Sequence, residues 1–414
     1  MVSPSVRSGV FHSGGPAMSR QTFSRRALIT ATGAAAASSL LPCRAFPASK
    51  GKIRIGLLLP YSGTYAALGN NITDAMKLAA REGDNKLAGR EIEWVAVDDE
   101  SDPAKAPANV NKLVVGEKVD ILTGPVHSGV AMAMMQIVRQ EKTLTIVTNA
   151  GAQAVTGQLC APNVFRTSFS NWQTSYPCAD VVLKDGRKTC ALMFWNYSFG
   201  QESMAAFKEG FVKGGGTIVK EIPVPFPTTE FQANLSEIAA LKPEAVFVFF
   251  AGAGAAKFVK DYADAGLREK IPLYGSGFLT EGVLAAQGPA AEGIKTTLHY
   301  ADSLATNANR DFRVAFKKAT TRDADVYAVA GYDTIRVLAS ALEKVKGDTG
   351  ARKELIAALE SVQLESPRGP FRFSKAHNPV QNVYVRQVKG GREIVLGVAR
   401  KDAEDPAFGC TMAT

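Results

Sequence analysis

The residues of this chain that could do chemistry gather at the ends of hydrophobic runs. Ser128 follows the run VDILTG and opens a helical stretch, which sets its hydroxyl and the nearby N–H groups at the carboxyl edge of a sheet. Ala150, Gly151 and Ala152 follow LTIVT in the same way, one unit later. Unpaired N–H groups at a helix start, at the positive end of the helix dipole, favour a carboxylate. Two such turns on neighbouring strands would make an anion cradle. A plain N-cap is the other role open to the Ser128 hydroxyl. His127 beside it could donate a hydrogen bond to a ligand, or hold a structural one to backbone.

Catalytic patterns fail where they are tested. Gly252 and Gly254 stand between a hydrophobic run and a helical stretch, but Lys257 occupies the third glycine position of a dinucleotide-binding G-x-G-x-x-G. Ser276 lies in Tyr-Gly-Ser-Gly-Phe, where Tyr274 replaces the first glycine of a nucleophile elbow. No phosphate-binding Walker loop is present. Cys160, Cys178, Cys190 and Cys410 with His127, His299 and His377 show no metal-ligand spacing, so neither a metal nor a cofactor is expected. An oxidising compartment would permit disulfides, and four cysteines allow three complete pairings that the sequence does not choose between.

The elements that position these turns follow a clear rhythm. IRIGLLLP precedes a helical pattern over 70–83, EIEWVAV one over 103–116, VDILTG one over 128–141, and LTIVT closes the series. After a turn-rich stretch over 157–171 the rhythm resumes with TCALMFW, TIVKEIPV, AVFVFF and IPLYG, and helical patterns over 200–213, 230–241 and 254–265. Apolar strands alternating with helices predict parallel βαβ units, hence an α/β chain of two doubly wound lobes. From 301 onward, helical patterns over 307–320, 325–346 and 352–361 and a β pair over 382–396 lack a sheet of their own. They are expected to return to the two lobes across a multi-crossing hinge. The expected division is 52–170 plus 301–375 for lobe 1, 171–300 plus 376–400 for lobe 2, and a tail over 401–414.

Residues 1–48 read as an export signal. Arg25 and Arg26 form a twin-arginine pair, followed by an apolar run from Ala27 to Leu41 of 15 residues, short of the roughly 20 needed to span a bilayer. Cleavage after Ala45 or Ala48 fits the small-residue rule, Met18 is an alternative start, and Cys43 is a poor lipidation site between Pro42 and Arg44. Without the signal, 48 basic and 39 acidic residues become 43 and 39, and the balance falls from +9 to +4. That balance is ordinary, the charges are interspersed, and no nucleic-acid partner is expected.

Taken in order, IGLLLPYSGTYAALG, VDDESDP, LTGPVHSGVA, VFRTSFSNWQ, WNYSFGQESMAAF and AVFVFFAGAGAAKFV resemble the branched-chain amino-acid-binding family of periplasmic solute receptors, from Lys52 to about Arg400. The resemblance implies a type I periplasmic-binding fold, a monomer that closes over a small-molecule carboxylate, and delivery to an inner-membrane ABC permease. It places Ser128 and the Ala150 and Ala152 backbone where relatives hold a ligand carboxylate. It makes Ser62, Gly63 and Tyr65 one wall of the cleft. Where relatives carry polar groups for the ligand ammonium, this chain has Phe199, Ala253 and Gly277. An ammonium shut away without a carboxylate is costly to desolvate, so an aromatic or other apolar acid is favoured, although Glu281 could supply the missing charge. Of the aromatics Tyr65, Trp172, Trp195, Tyr197, Phe250 and Phe278, Trp172 and Phe278 are the favoured additional site residues. A branched-chain amino-acid or amide receptor, or a ligand sensor, is the alternative.

Overall fold

The strand β1 (Ile53–Leu59) is apolar and almost wholly buried, and its two faces feed two different cores. Ile53, Ile55, Leu57 and Leu59 join one cluster and Leu58 the other, as the two-residue period of a strand requires. A strand covered on both faces must sit inside a parallel sheet with helices on each side. The computed structural model describes residues 51–412 and shows that arrangement twice. The twin-arginine pair, the run from Ala27 to Leu41 and Cys43 lie outside the described residues.

The first lobe runs through β1, α1 (Ala66–Glu82), β2 (Lys86–Leu87), β3 (Arg90–Asp98), α2 (Ala106–Asn111) and β4 (Ile121–Thr123). It continues with α3 (Ser128–Glu141), β5 (Leu144–Val147), α4 (Gln153–Thr156) and β6 (Val164–Arg166). Its sheet has the order β2-β3-β1-β4-β5-β6, parallel except for the short β2 hairpin. The strand β6 falls in the stretch read from sequence as turns, because three residues are too few to show a period.

The second lobe comprises α5 (Asn171–Lys184), β7 (Thr189–Trp195), α6 (Ser198–Lys213), β8 (Thr217–Val224), α7 (Gln232–Leu241) and β9 (Ala245–Phe249). It adds α8 (Gly252–Asp264), β10 (Leu273–Ser276), α9 (Leu284–Gln287) and β11 (Lys295–Leu298). The order β8-β7-β9-β10-β11 is parallel. The chain then makes α10 (Asn307–Thr320), α11 (Val326–Lys344) and α12 (Arg352–Glu360); α11 packs along α1 of the first lobe.

Four strands end the chain: β12 (Gln363–Ser366), β13 (Gly369–Phe373), β14 (Pro379–Lys389) and β15 (Arg392–Ala403). β14 lies antiparallel to β11 and pairs on with β13 and β15. β12 and β13 therefore extend the second sheet, although they belong to the 301–375 stretch expected in the first lobe. Among the described residues no helix is long and apolar enough to cross a membrane.

Both parallel sheets have a switch point where strand order reverses, between β1 and β4 in one and β7 and β9 in the other. Loops leaving neighbouring strands at such a point diverge and open a crevice. The four loops concerned carry Tyr65, His127, Tyr197 and Gly252.

The disulfide Cys160–Cys410 joins the segment after α4 to the C-terminal tail across 250 residues of sequence, leaving Cys178 and Cys190 as buried thiols. Burial pushes both thiols up, Cys178 to about 12, so they remain protonated. Replacing Cys160 and Cys410 together by serine should lower stability by about 2–4 kcal/mol. Calorimetry of the oxidised protein, the reduced protein and the double variant should place the last two together, below the first.

Candidate functional site

The crevice is shut in this structure. The Tyr65 hydroxyl from the first lobe lies 2.9 Å from the Tyr197 hydroxyl of the second. Gly252, at φ +56, brings the start of α8 against the Thr64 carbonyl and the Tyr65 ring, a left-handed conformation that glycine adopts without strain. Glu202 of α6 accepts the N–H of Gln153 at 2.8 Å and the Asn171 side-chain amide at 2.7 Å, so a second-lobe carboxylate caps the first turn of α4. Burial raises the Glu202 pKa, and those donors oppose the shift.

His127, and not Ser128, is the N-cap of α3. Its Nδ1 accepts the Gly129 N–H at 3.0 Å, which requires a lone pair on Nδ1 and leaves the proton of the neutral ring on Nε2. Nε2 is buried without a partner among the described residues, and so is the Ser128 hydroxyl. Ser128 is thus the first helical residue, and capping does not consume its oxygen. The His127 ring stacks on Tyr197 at 4.2 Å, which fixes its plane. Burial lowers the His127 pKa to about 4, against a smaller opposing effect of Asp102. At neutral pH the site holds an uncharged N–H donor beside a hydroxyl.

The turn at Ala150–Ala152 is held from behind. Arg166, fully buried at the end of β6, donates to the Ala150 carbonyl, to the Ala152 carbonyl at 2.7 Å, and to Thr156 and Asn378. In a trans peptide the N–H points opposite to the C=O, so the Gly151 and Gln153 N–H groups face away from Arg166. Gln153 does so toward Glu202 of the other lobe, which identifies that face as the cleft side. The Ala150 N–H is unavailable to a ligand, contrary to the expected cradle, because it donates to the Pro125 carbonyl at 3.0 Å. Gly151 remains, and a Cβ there would strike the Asn171 side chain and the Phe169 ring.

An aromatic box adjoins these donors. Phe199 stacks on Phe249 at 3.9 Å and meets Phe278 edge-on at 5.5 Å, while Phe169 contacts Phe278 at 4.7 Å. Phe278 in turn neighbours Tyr327 at 6.0 Å, whose buried hydroxyl has no partner among the described residues. Phe226 packs on Tyr65 and His127. Of the expected site residues, Tyr65, His127, Ser128, Gly151, Ala152, Phe199 and Phe278 gather here.

Others do not. Trp172 stacks on Tyr176 at 4.7 Å under Arg400 of β15 and has no ring contact with the box. Ala253 is exposed: Gly252 and Gly254 face inward, and the helical period turns the residue between them to solvent. Ser62 and Gly63 are exposed too. Phe250 packs with Phe231 and Phe258 in the second-lobe core, whereas Trp195, whose indole donates to the Thr228 carbonyl, borders the site through edge-on contacts with Tyr65 and Phe226. Phe169, Phe226, Phe249, Tyr327, Arg166 and Glu202 escaped sequence reading. Phe169 and Arg166 stand in the VFRTSFSNWQ motif, Glu202 in WNYSFGQESMAAF and Phe249 in AVFVFFAGAGAAKFV, which were the available signals.

Gly277 does not widen the box. A Cβ there would lie 2.5 Å from the Leu298 side chain and 2.6 Å from Arg386, whose guanidinium donates to the Gly277 carbonyl at 2.8 Å. Arg386 also binds Glu281, and Glu393 at 2.7 Å, while Glu281 accepts the Val326 N–H at 2.7 Å. The acid that could have met a ligand ammonium is therefore committed elsewhere. Among the described residues no group of His, Cys, Asp and Glu could hold a metal ion.

The sequence profile described as periplasmic binding protein matches residues 52–392. A crystal structure of the solute-binding protein of an ABC transporter from R. palustris, in complex with benzoate, is 50% identical, covers 87% of this chain and 100% of its own, and superposes with a TM-score of 0.85. A solute-binding protein from Rhodopseudomonas palustris BisB5, in complex with 3,4-dihydroxybenzoic acid, is 32% identical over 86% of this chain and 99% of its own, with a TM-score of 0.82. Leu/Ile/Val-binding protein homolog 6 of Brucella melitensis is 33% identical over 81% of this chain and 87% of its own.

With a folded-state pKa of about 4 against about 6.5 unfolded, His127 binds fewer protons in the folded protein. Its stabilising contribution is complete above pH 6.5 and is lost as pH falls toward 4. His127→Asn keeps an N-cap acceptor and removes the titration, so its stability relative to the parent should rise by about 3 kcal/mol between pH 6.5 and 4. Denaturant titrations at both pH values measure this difference.

Proposed function

The chain belongs to the periplasmic binding protein family, and from that premise we propose that it is the solute-binding component of an ABC importer, closing reversibly on an aromatic carboxylate. The observation that carries the reading is the pair of unspent neutral donors, Ser128 Oγ and His127 Nε2, at the start of α3 beside a box of phenyl rings. The ligand carboxylate accepts from these two groups and from the Gly151 N–H, and its ring packs among Phe169, Phe199 and Phe278. Support comes from the relatives in complex with benzoate and dihydroxybenzoic acid.

No bond is made or broken in this cycle. The solute bridges the two lobes, the closed form is presented to a membrane permease, and opening releases the cargo. Export through the twin-arginine segment and action as a monomer complete the proposal. The Leu/Ile/Val-binding relatives favour a second reading, a branched-chain amino acid, which needs an acid for the ammonium. Glu281 is already bound by Arg386 and the Val326 N–H, so the aromatic acid is the better fit.

Thermal shift with benzoate, hydroxybenzoates, short aliphatic acids, leucine, isoleucine and valine tests the reading. The aromatic acids should stabilise the protein, by about 2.7 kcal/mol at a hundredfold excess over Kd; stabilisation by the branched-chain amino acids alone would overturn it. Ser128→Ala should weaken benzoate binding by about 1.5–3 kcal/mol in calorimetry, since a charge-assisted hydrogen bond is lost. Unchanged affinity would remove Ser128 from the site.

A further inference from the structure

Three arginines of this protein, Arg166, Arg368 and Arg386, are fully buried. Two have acids in contact: Arg368 meets Asp333 at 3.0 Å, and Arg386 holds Glu281 and Glu393. The third has none among the described residues. Arg166 spends its donors on neutral acceptors, the carbonyls of Ala150 and Ala152, the Thr156 hydroxyl and the Asn378 amide oxygen. Asp405 and Glu202 act on it only through space, against a larger effect of burial.

A buried charge with no acid in contact is unfavourable unless something offsets it. The position of Arg166 says what does. It lies behind the Ala150–Ala152 turn, it fixes the carbonyl side of that turn, and so it aims the Gly151 N–H at the cleft. We infer that Arg166 is a positioning residue for solute capture, and that the carboxylate of the bound solute, held one peptide away across the turn as Glu202 is, serves it as a further counter-ion. The inference rests on the proposed aromatic-acid reading and deepens it, because it makes the cleft selective for anions over neutral ring compounds. Glu202 supplies an internal precedent, a carboxylate already docked on the cleft side of the same turn through the Gln153 N–H.

The charge acts through a peptide and not through water, so it is weakly screened. At roughly 6–8 Å and an effective dielectric near 20, it strengthens anion binding by roughly thirtyfold to a hundredfold. Benzoate titrations of the parent, Arg166→Lys and Arg166→Gln, with ligand-free melting of each, separate charge from scaffold. Both variants lose part of the guanidinium fork and should melt below the parent. Arg166→Lys keeps the charge and should bind benzoate within about tenfold of the parent, whereas Arg166→Gln should lose at least about thirtyfold.

Equal losses in the two variants would make Arg166 structural only and overturn the inference. If Arg166→Gln does not fold, Arg166→Lys decides alone: a folded lysine variant that loses more than a hundredfold overturns the role of charge. A parent that binds leucine but no aromatic acid sinks the proposed function while the leucine carboxylate still tests Arg166 in the same variants. A parent that binds no carboxylate at all removes both.

Discussion

The pairing of Arg386 with Glu281 and Glu393 constrains more of this structure than any other contact. A guanidinium at the junction of β11, β14 and the loop after β10 has to be neutralised, because its own desolvation would otherwise outweigh the packing around it. Meeting that need commits Glu281, whose other oxygen caps α11 at Val326. It also keeps residue 277 a glycine, since any side chain would occupy the space of the guanidinium. Helix α11 runs along α1, so the network ties the second sheet to the first lobe. The chemistry left around the cleft is what this network does not use, namely hydroxyls, the neutral imidazoles of His127 and His299, the Glu202 carboxylate, backbone N–H groups and phenyl rings.

Closure rests on few contacts of its own. The hydroxyl bridge between Tyr65 and Tyr197, the Glu202 cap on Gln153 and the approach of Gly252 to Tyr65 can each be exchanged for water when the lobes part. The neutral hydroxyl bridge is worth only about 1 kcal/mol and the bond to the Glu202 carboxylate about 1.5–3 kcal/mol. A solute that touches both lobes can therefore shift the balance by its own differential affinity for the closed form. The ring stack of His127 on Tyr197 belongs to the same seam, so closure adds a second constraint to a ring already held by the Gly129 N–H.

The sheets were legible in the sequence because strands buried on both faces read as unbroken apolar runs, and α3 and α10 begin and end where the helical period places them. The short strands β6, β12 and β13 were not, since three to five residues carry no period and owe their state to a partner edge. In the site, the turns bearing His127, Ser128 and Gly151 could be found from strand endings alone. Ala253 misled because helical phase decides which of three small residues faces inward. Gly277 misled because its meaning lies with Arg386, far along the chain. Arg166 was quoted within a motif, yet nothing local reveals that it touches Ala150, Ala152 and Asn378 and lacks an acid.

The cystine between Cys160 and Cys410 has a bearing on resistance to proteolysis. It encloses all of the second lobe, the three later helices and the terminal strands in one covalent ring. A protease that cuts a surface loop anywhere in that ring severs the backbone without freeing a fragment. Both pieces stay attached through the segment that follows α4.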